Sequence, residues 1–237
     1  MTDGFPNRAR ILRGAFVEFG LSLPPLVVAF QFNPLQLTRN RSLTFAVPNP
    51  PAPPGRIQPA APNRTLRQFH GQFKDLLDLQ KRQVVTVQEQ SIGFDIRLDA
   101  TDKLNEGDII AEQFGIGPQI ATLELMVYPK DESLLTAAVA ALLRRPKGFS
   151  FMRSANPPLI LFVFGRKRVL PVNINSMNIT ETEFSTDLNP IRATVAVSLT
   201  VIEGGNVPYS YTKAMTEAMS LINLANAADV ANVAIPG

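Results

Sequence analysis

The chain has 237 residues, 45% of them hydrophobic, enough for one large core or for one domain carrying an insertion. It contains no cysteine, no tryptophan and a single histidine, His70, which excludes a disulfide framework, a cysteine-based zinc site and a His-rich zinc site. The formal net charge is +3, but residues 1–90 hold 11 Lys+Arg against 5 Asp+Glu and the rest 12 against 15, so the two parts have opposite sign.

In chain order, Ala9–Phe19 is expected as a strand, apolar around Ile11, Ala15, Val17 and Phe19 and closed by Gly20. Leu26–Phe32 is a second strand, ended by Asn33 and Pro34, because proline cannot donate to a ladder and restricts the residue before it. Leu43–Val47 is a third. Seven prolines (48, 50, 51, 53, 54, 59 and 62) then favour an extended polyproline-like path, a linker or arm. Leu66, Phe69, Phe73, Leu76 and Leu77 have helical spacing and predict a short amphipathic helix within Leu66–Gln90.

Ile92, Phe94, Ile96 and Leu98 alternate with Gly93, Asp95, Arg97 and Asp99, the cleanest period of two in the chain, so one face of that strand belongs to a core. Thr101–Gly117 is expected as a polar loop. Ile120, Leu123, Leu125 and Met126, then Leu134, Leu135, Ala138 and Leu142, fit one helix or two separated by Pro129, a helical layer against the sheet. Next come a strand at Leu159–Phe164, a tight turn at Gly165 and Arg166, a strand at Val169–Asn173, and a polar-alternating strand to about Phe184. Ile191–Ile202 follows with Val195, Val197, Leu199 and Val201 on one face. Tyr211 to about Val233 predicts a terminal helix with Met215, Ala218, Met219 and Ile222 on a stripe. The longest greasy helix-like stretch, Leu134–Leu143, is too short to span a bilayer, and no secretory pattern opens the chain, so synthesis in the cytoplasm is expected.

Catalytic chemistry finds little purchase. His70 is the lone imidazole and no G-x-S-x-G motif occurs, so nucleophile–base catalysis lacks its parts and a surface or packing histidine is the better account. Asp95 with Asp99, and Glu181 with Glu183, share strand faces as paired carboxylates would, yet they alternate with core residues, as a solvated outer face does. Phe114–Gly117 lacks the lysine and third glycine of a phosphate-cradling loop and is expected as a flexible bend. No cofactor or metal site is expected. Arg166, Lys167 and Arg168 concentrate positive charge at a hairpin tip, where it keeps strands apart or meets a partner's acidic patch. The basic N-terminal half raises a nucleic-acid surface as a rival, disfavoured because its cations are scattered without a run or aromatic interleaving.

Four phrases, in this order, carry a family resemblance: Phe32, Asn33 and Pro34 ending an early strand; Gly93–Asp99, with Phe94 at its centre; Pro157 and Pro158 running through an apolar strand to Phe164 and Gly165; and Pro190, Arg192 and Ala193 opening a long strand. Together they resemble the tube-like domain of contractile injection system baseplate proteins, over residues 26–47 and 91–204. The resemblance implies a mainly β, α+β fold like phage tail-tube proteins: an antiparallel β-sandwich or barrel with a flanking helix, an extended insertion and a C-terminal helix. The implied division is a tube-like β domain at 1–47 and 91–204, a Pro-rich arm at 48–90 and a helical extension at 205–237.

Six protomers of such a fold join their sheets into a ring around a channel, which removes exposed sheet edges. The implied function is structural and non-enzymatic: a ring joining inner tube to spike, with the inner tube protein, spike protein, sheath and baseplate wedge proteins as partners. An inner tube protomer is the alternative of the same class. Phe164 stands where the family often has tryptophan, the segment from Pro48 to Gln90 is longer than a simple strand link, and the residues after Gly204 do not resemble the LysM-like module of some relatives.

Overall fold

A computed structural model describes residues 12–20, 25–48, 65–128 and 156–225. The expected elements at Ile11, through most of the proline tract, at Leu134–Leu142 and beyond residue 225 lie outside the described residues. The elements are β1 (Ala15–Glu18), β2 (Val27–Ala29), β3 (Leu37–Asn40), β4 (Leu43–Ala46), α1 (Leu66–His70), α2 (Leu76–Arg82), β5 (Val84–Val87) and β6 (Ser91–Asp99). Then come α3 (Thr101–Asn105), α4 (Ile109–Phe114), α5 (Gly117–Leu125), β7 (Ile160–Val163), β8 (Val169–Phe184), β9 (Pro190–Val201) and α6 (Val207–Ala225).

The fold is mixed α+β with mostly antiparallel sheets. Seven strands form one open sheet in the order β2-β1-β7-β8-β9-β6-β3, and β4 with β5 forms a separate two-stranded sheet. The chain divides into two compact units, residues 40–90 and the remainder. The boundary falls at Asn40 rather than at residue 48 because β4 pairs with β5, Leu43 opposite Val87 and Phe45 opposite Val85. Residues 205–225 belong with the larger unit, since the Thr212 hydroxyl on α6 donates to the Val169 carbonyl at 2.7 Å and accepts from its N–H at 3.0 Å.

The large sheet curls on itself. Phe16 on β1 and Phe94 on β6 are four strand spacings apart, roughly 19 Å in a flat sheet, yet their ring centroids are 6.0 Å apart. Phe30 and Phe162 complete a cluster of four phenylalanines, with Phe30–Phe94 at 5.7 Å and Phe94–Phe162 at 5.2 Å. Around it lie Ile92, Ile96, Leu98, Val195, Val197, Leu199 and Val201, all buried as the alternation requires. The Gln31 amide bridges toward β6: its nitrogen donates to the Asp99 carbonyl at 2.6 Å and its oxygen accepts from the Asp99 N–H at 2.8 Å.

Several elements depart from the sequence expectation. On β1 the buried positions are Phe16 and Glu18, while Ala15 and Val17 are half-buried and Phe19 is exposed. The phenylalanine cluster sets that register, and the Glu18 carboxylate accepts the Leu26 N–H at 3.1 Å. The strand from Leu26 narrows to Val27–Ala29, because beyond it the Gln31 and Asn33 side chains take over the role of backbone partners. β3, at the sheet edge, was not anticipated. The single helix expected within Leu66–Gln90 is two short ones, restarted by Asp75, whose carboxylate accepts the Leu77 N–H. The β-branched run Val84–Val87 ends them as a strand.

The expected loop Thr101–Gly117 holds α3 and α4, the second capped by the Asp108 carboxylate, which accepts from Ile110 and Ala111. On α5, Ile120 and Leu123 are buried, as is Met126 just beyond it, while Leu125 faces out. Val169–Phe184 is one strand with a bulge between Ile174 and Ser176, and α6 begins at Val207, ahead of Tyr211. The turn between β7 and β8 forms where expected: Gly165 has φ 72° and the Phe164 N–H donates to the Arg168 carbonyl at 2.8 Å.

Candidate functional site: a polar sheet face and two charged ends

The three longest strands lie side by side, and their alternation separates two surfaces. Opposite the core, β8 presents Asn173, Ser176, Asn178, Thr180 and Thr182; β9 presents Thr200, Ser198, Ala196, Thr194 and Arg192; β6 presents Ser91, Gly93, Asp95, Arg97 and Asp99. Gly93 and Ala196 are the only non-polar residues among them. Large apolar side chains are scarce on this face, Phe184 opposite Pro190 at its end being the exception, because each strand spends most of its Val, Ile, Leu and Phe on the other side.

At one end of this face is a concavity of about 720 Å³ lined in part by Phe32, Asn33, Pro34, Arg97, Asp99 and Arg192. Its anchor is Arg192, whose Nε donates to Asp99 Oδ2 at 2.8 Å, Nη1 to Glu183 Oε1 at 2.6 Å, and Nη2 to the Thr101 hydroxyl at 3.2 Å. Burial of the Asp99 carboxyl opposes ionisation, but hydrogen bonds from the Thr101 hydroxyl and N–H and the Arg192 guanidinium outweigh it, holding Asp99 below the usual carboxylate range. The same bonds to Asp99 and Glu183 raise Arg192 above its ordinary value. One carboxylate from each strand-face pair, Asp99 of Asp95/Asp99 and Glu183 of Glu181/Glu183, is thus engaged by the same cation.

The residues that carry the family resemblance fall into three places. Asn33 ties the chain into the sheet start, its amide nitrogen donating to the Leu12 carbonyl and its oxygen accepting from Gly14 N–H. Phe32, Pro34, Arg192 and Ala193 gather at the concavity, Ala193 buried and Phe32 46% exposed. Phe94 is in the core. Pro158 precedes β7, while Phe164 and Gly165 sit at the β7–β8 turn, at the opposite end of the strands from Pro190. There Arg166 and Lys167 are exposed and the Arg168 guanidinium lies over the Phe164 ring at 5.7 Å. Burial, and then repulsion from Arg39, lower Arg168 below its usual value.

Gln31, Thr101 and Arg39 were not singled out from the sequence, and Glu183 was named only with Glu181, not with Arg192. The φ of 57° at Glu183 is visible only in structure. Phe114–Gly117 is no flexible bend: Gly115 has φ 57° and ψ −128°, a Cβ there would meet the Pro190 carbonyl oxygen at 2.1 Å, and the Ile116 N–H donates to that oxygen at 2.9 Å. His70, at the end of α1, packs beside Phe69 with ring centroids 6.2 Å apart.

Among the described residues no group of three or more His, Cys, Asp or Glu is placed to hold a metal ion, and no helix is long and apolar enough to cross a membrane. Compared with known families and with curated proteins, the chain matches no family model and no curated protein.

Proposed function

We propose that the chain is a structural, non-enzymatic ring protein of a contractile injection particle, joining the inner tube to the spike. The observation that carries this reading is the continuous polar face on β6, β8 and β9, mostly Ser, Thr and Asn on β8 and β9 and mostly charged on β6, backed by an apolar core. A sheet of that kind can line a wet channel while its other side holds the protomer together. The sheet is also open, with β2 and β3 at its edges; pairing those edges between copies is how a ring removes the aggregation hazard they present. The partners under this reading are further copies of the chain in a hexamer, the inner tube protein, the spike protein, and sheath and wedge proteins, after synthesis in the cytoplasm.

An adaptor fits better than a repeated tube subunit. The unit at residues 40–90 and the helix α6 would have to be accommodated at every stacked interface of a tube, but only once at a unique junction. The test is the copy number of the protein in purified particles, measured by quantitative mass spectrometry and normalised to the spike. A fixed ratio near one ring of about six copies supports the adaptor. A ratio that rises with tube length assigns the chain to the tube instead.

A further inference from the structure

We infer that the Pro190 end of the large sheet is a docking surface for a different protein, one whose contacting surface is basic around an apolar centre. That the occupant is a different protein and not a second copy rests on the single-ring reading above.

Two pieces of chain make this surface, α3 with α4 on one side and the β8–β9 turn, residues 185–189, on the other. They are fastened together: the Asn189 amide nitrogen donates to the Gln113 carbonyl at 2.7 Å, and the Ile116 N–H donates to the Pro190 carbonyl at 2.9 Å. On α4, Ile109, Ile110 and Phe114 are 68%, 62% and 52% exposed; before and within the turn, Phe184 and Leu188 are 49% and 79% exposed. An exposed apolar residue standing alone is ordinary. Five large ones on two elements bonded to each other form a patch of the kind that marks a contact with another molecule.

Leu188 is the most telling of the five. Its φ is 61°, in the left-handed region that suits glycine or asparagine. The turn holds it there: the Ser185 hydroxyl oxygen accepts from the Asp187 and Asn189 N–H groups, and the Ser185 carbonyl accepts the Leu188 N–H at 3.0 Å. The side chain meanwhile points at solvent. A leucine so placed serves neither the turn nor the core, which leaves an external surface to use it.

The rim sets the partner's charge. Within residues 101–114 and 185–189, Asp102, Glu106, Asp108, Glu112 and Asp187 stand against Lys103 alone. Of the other cations at this end, Arg192 is engaged by Asp99 and Glu183, and Arg97 stands on the polar strand face. A partner with Lys and Arg around an apolar centre meets both features: its cations pair with the rim, and the two apolar centres leave water together.

The chain's own basic turn, Arg166 to Arg168, lies at the opposite termini of the strands. A second copy supplying it would therefore stack end on end and repeat without closing. In a single ring the neighbour at the strand ends is another protein. Such a contact leaves the edges β2 and β3 free for lateral pairing within the ring.

Photocrosslinking in the cell that makes the chain tests the contact in the full protein, with Phe114 replaced by p-benzoylphenylalanine, an aromatic for an aromatic at an exposed position. The expected product is one predominant adduct with another protein, whose cross-linked stretch holds Lys or Arg beside apolar residues. In the variant Glu106→Lys with Glu112→Lys that adduct should fall at least about tenfold, and in Glu106→Gln with Glu112→Gln it should fall less. The protein so identified, once purified, should bind the parent with an affinity that drops as salt screens exposed charges. It should bind Leu188→Asn at least about tenfold more weakly.

Leu188→Asn separates docking from folding, because asparagine suits the left-handed turn position and should melt no lower than the parent. Should it melt lower, Ile109→Ser on the α4 side replaces it; if both melt lower, the patch holds the fold and the proposal falls. An absent adduct, an adduct with a second copy of this chain, a partner stretch without cations, or an affinity unchanged by the charge reversal or by Leu188→Asn also overturns it. A copy number fixed per spike without an adduct removes this contact and keeps the ring. An adduct to a basic partner in cells that make no particle keeps the contact and removes the ring.

Discussion

Replacing Gly115 by alanine probes how the helical layer is fastened to the sheet. The residue sits at the end of α4 with φ 57° and ψ −128°, a region that costs a side-chain-bearing residue about 1–3 kcal/mol. The added methyl carbon would also lie 2.1 Å from the Pro190 carbonyl oxygen, a backbone atom that cannot rotate away. Relief requires the helix end to lift, which breaks the Ile116 N–H bond to the same oxygen at 2.9 Å, worth about 1 kcal/mol net. The expected loss is therefore about 2–4 kcal/mol, a large share of the roughly 5–15 kcal/mol that holds a domain together.

Gly117→Ala is the matched control, because nothing lies within 4 Å of a Cβ there and its φ is not positive. It should be neutral or stabilising by a few tenths up to about 1 kcal/mol. Urea denaturation of both variants against the parent, with the slope unchanged, reads these differences directly. Gly115→Ala within about 1 kcal/mol of the parent would refute the close approach and return the segment to a bend.

Two further outcomes follow from the core and the Arg192 network. Val197→Asp puts a charge at a position 5% exposed, beside the phenylalanine cluster, and should cost on the order of 4 kcal/mol or more; a soluble variant melting as the parent does would remove β9 from the core. Because the folded-state pKa of Asp99 is depressed, its stabilising contribution is complete above its unfolded value of 3.8 and is lost as pH falls through the folded value. Asp99→Asn should therefore be less stable than the parent at pH 7, with the gap narrowing in urea melts at about pH 3; an unchanged gap would detach Asp99 from any ionic role.

Period two made β6 and β9 legible, because every buried position on Ile92–Leu98 and Val195–Val201 is a large apolar residue and every outward one is small or polar. β1 was misread because its short segment is apolar on both faces, and Phe16 is chosen by three phenylalanines distant in the sequence. The helices α3 and α4 were missed because five or six residues show no helical period. Asp108 ahead of Ile110 and Ala111 was the available signal, a side-chain cap. Of the residues quoted for the resemblance, Phe32, Pro34, Arg192 and Ala193 meet at one concavity, while Phe164 and Gly165 lie at the far end of the strands. The bonds of Gln31 and Asn33 to backbone groups come from the curl of the sheet, a tertiary fact with no local trace.

The most direct measurement is a cryo-electron microscopy map of the assembled protein in its native particle. The account predicts a single ring at the junction of tube and spike, with Asn178, Thr180, Thr194 and Arg97 facing the channel and adjacent copies pairing along β2 and β3. A map in which the face of β6, β8 and β9 points away from the channel, or in which the chain forms no ring, would contradict it.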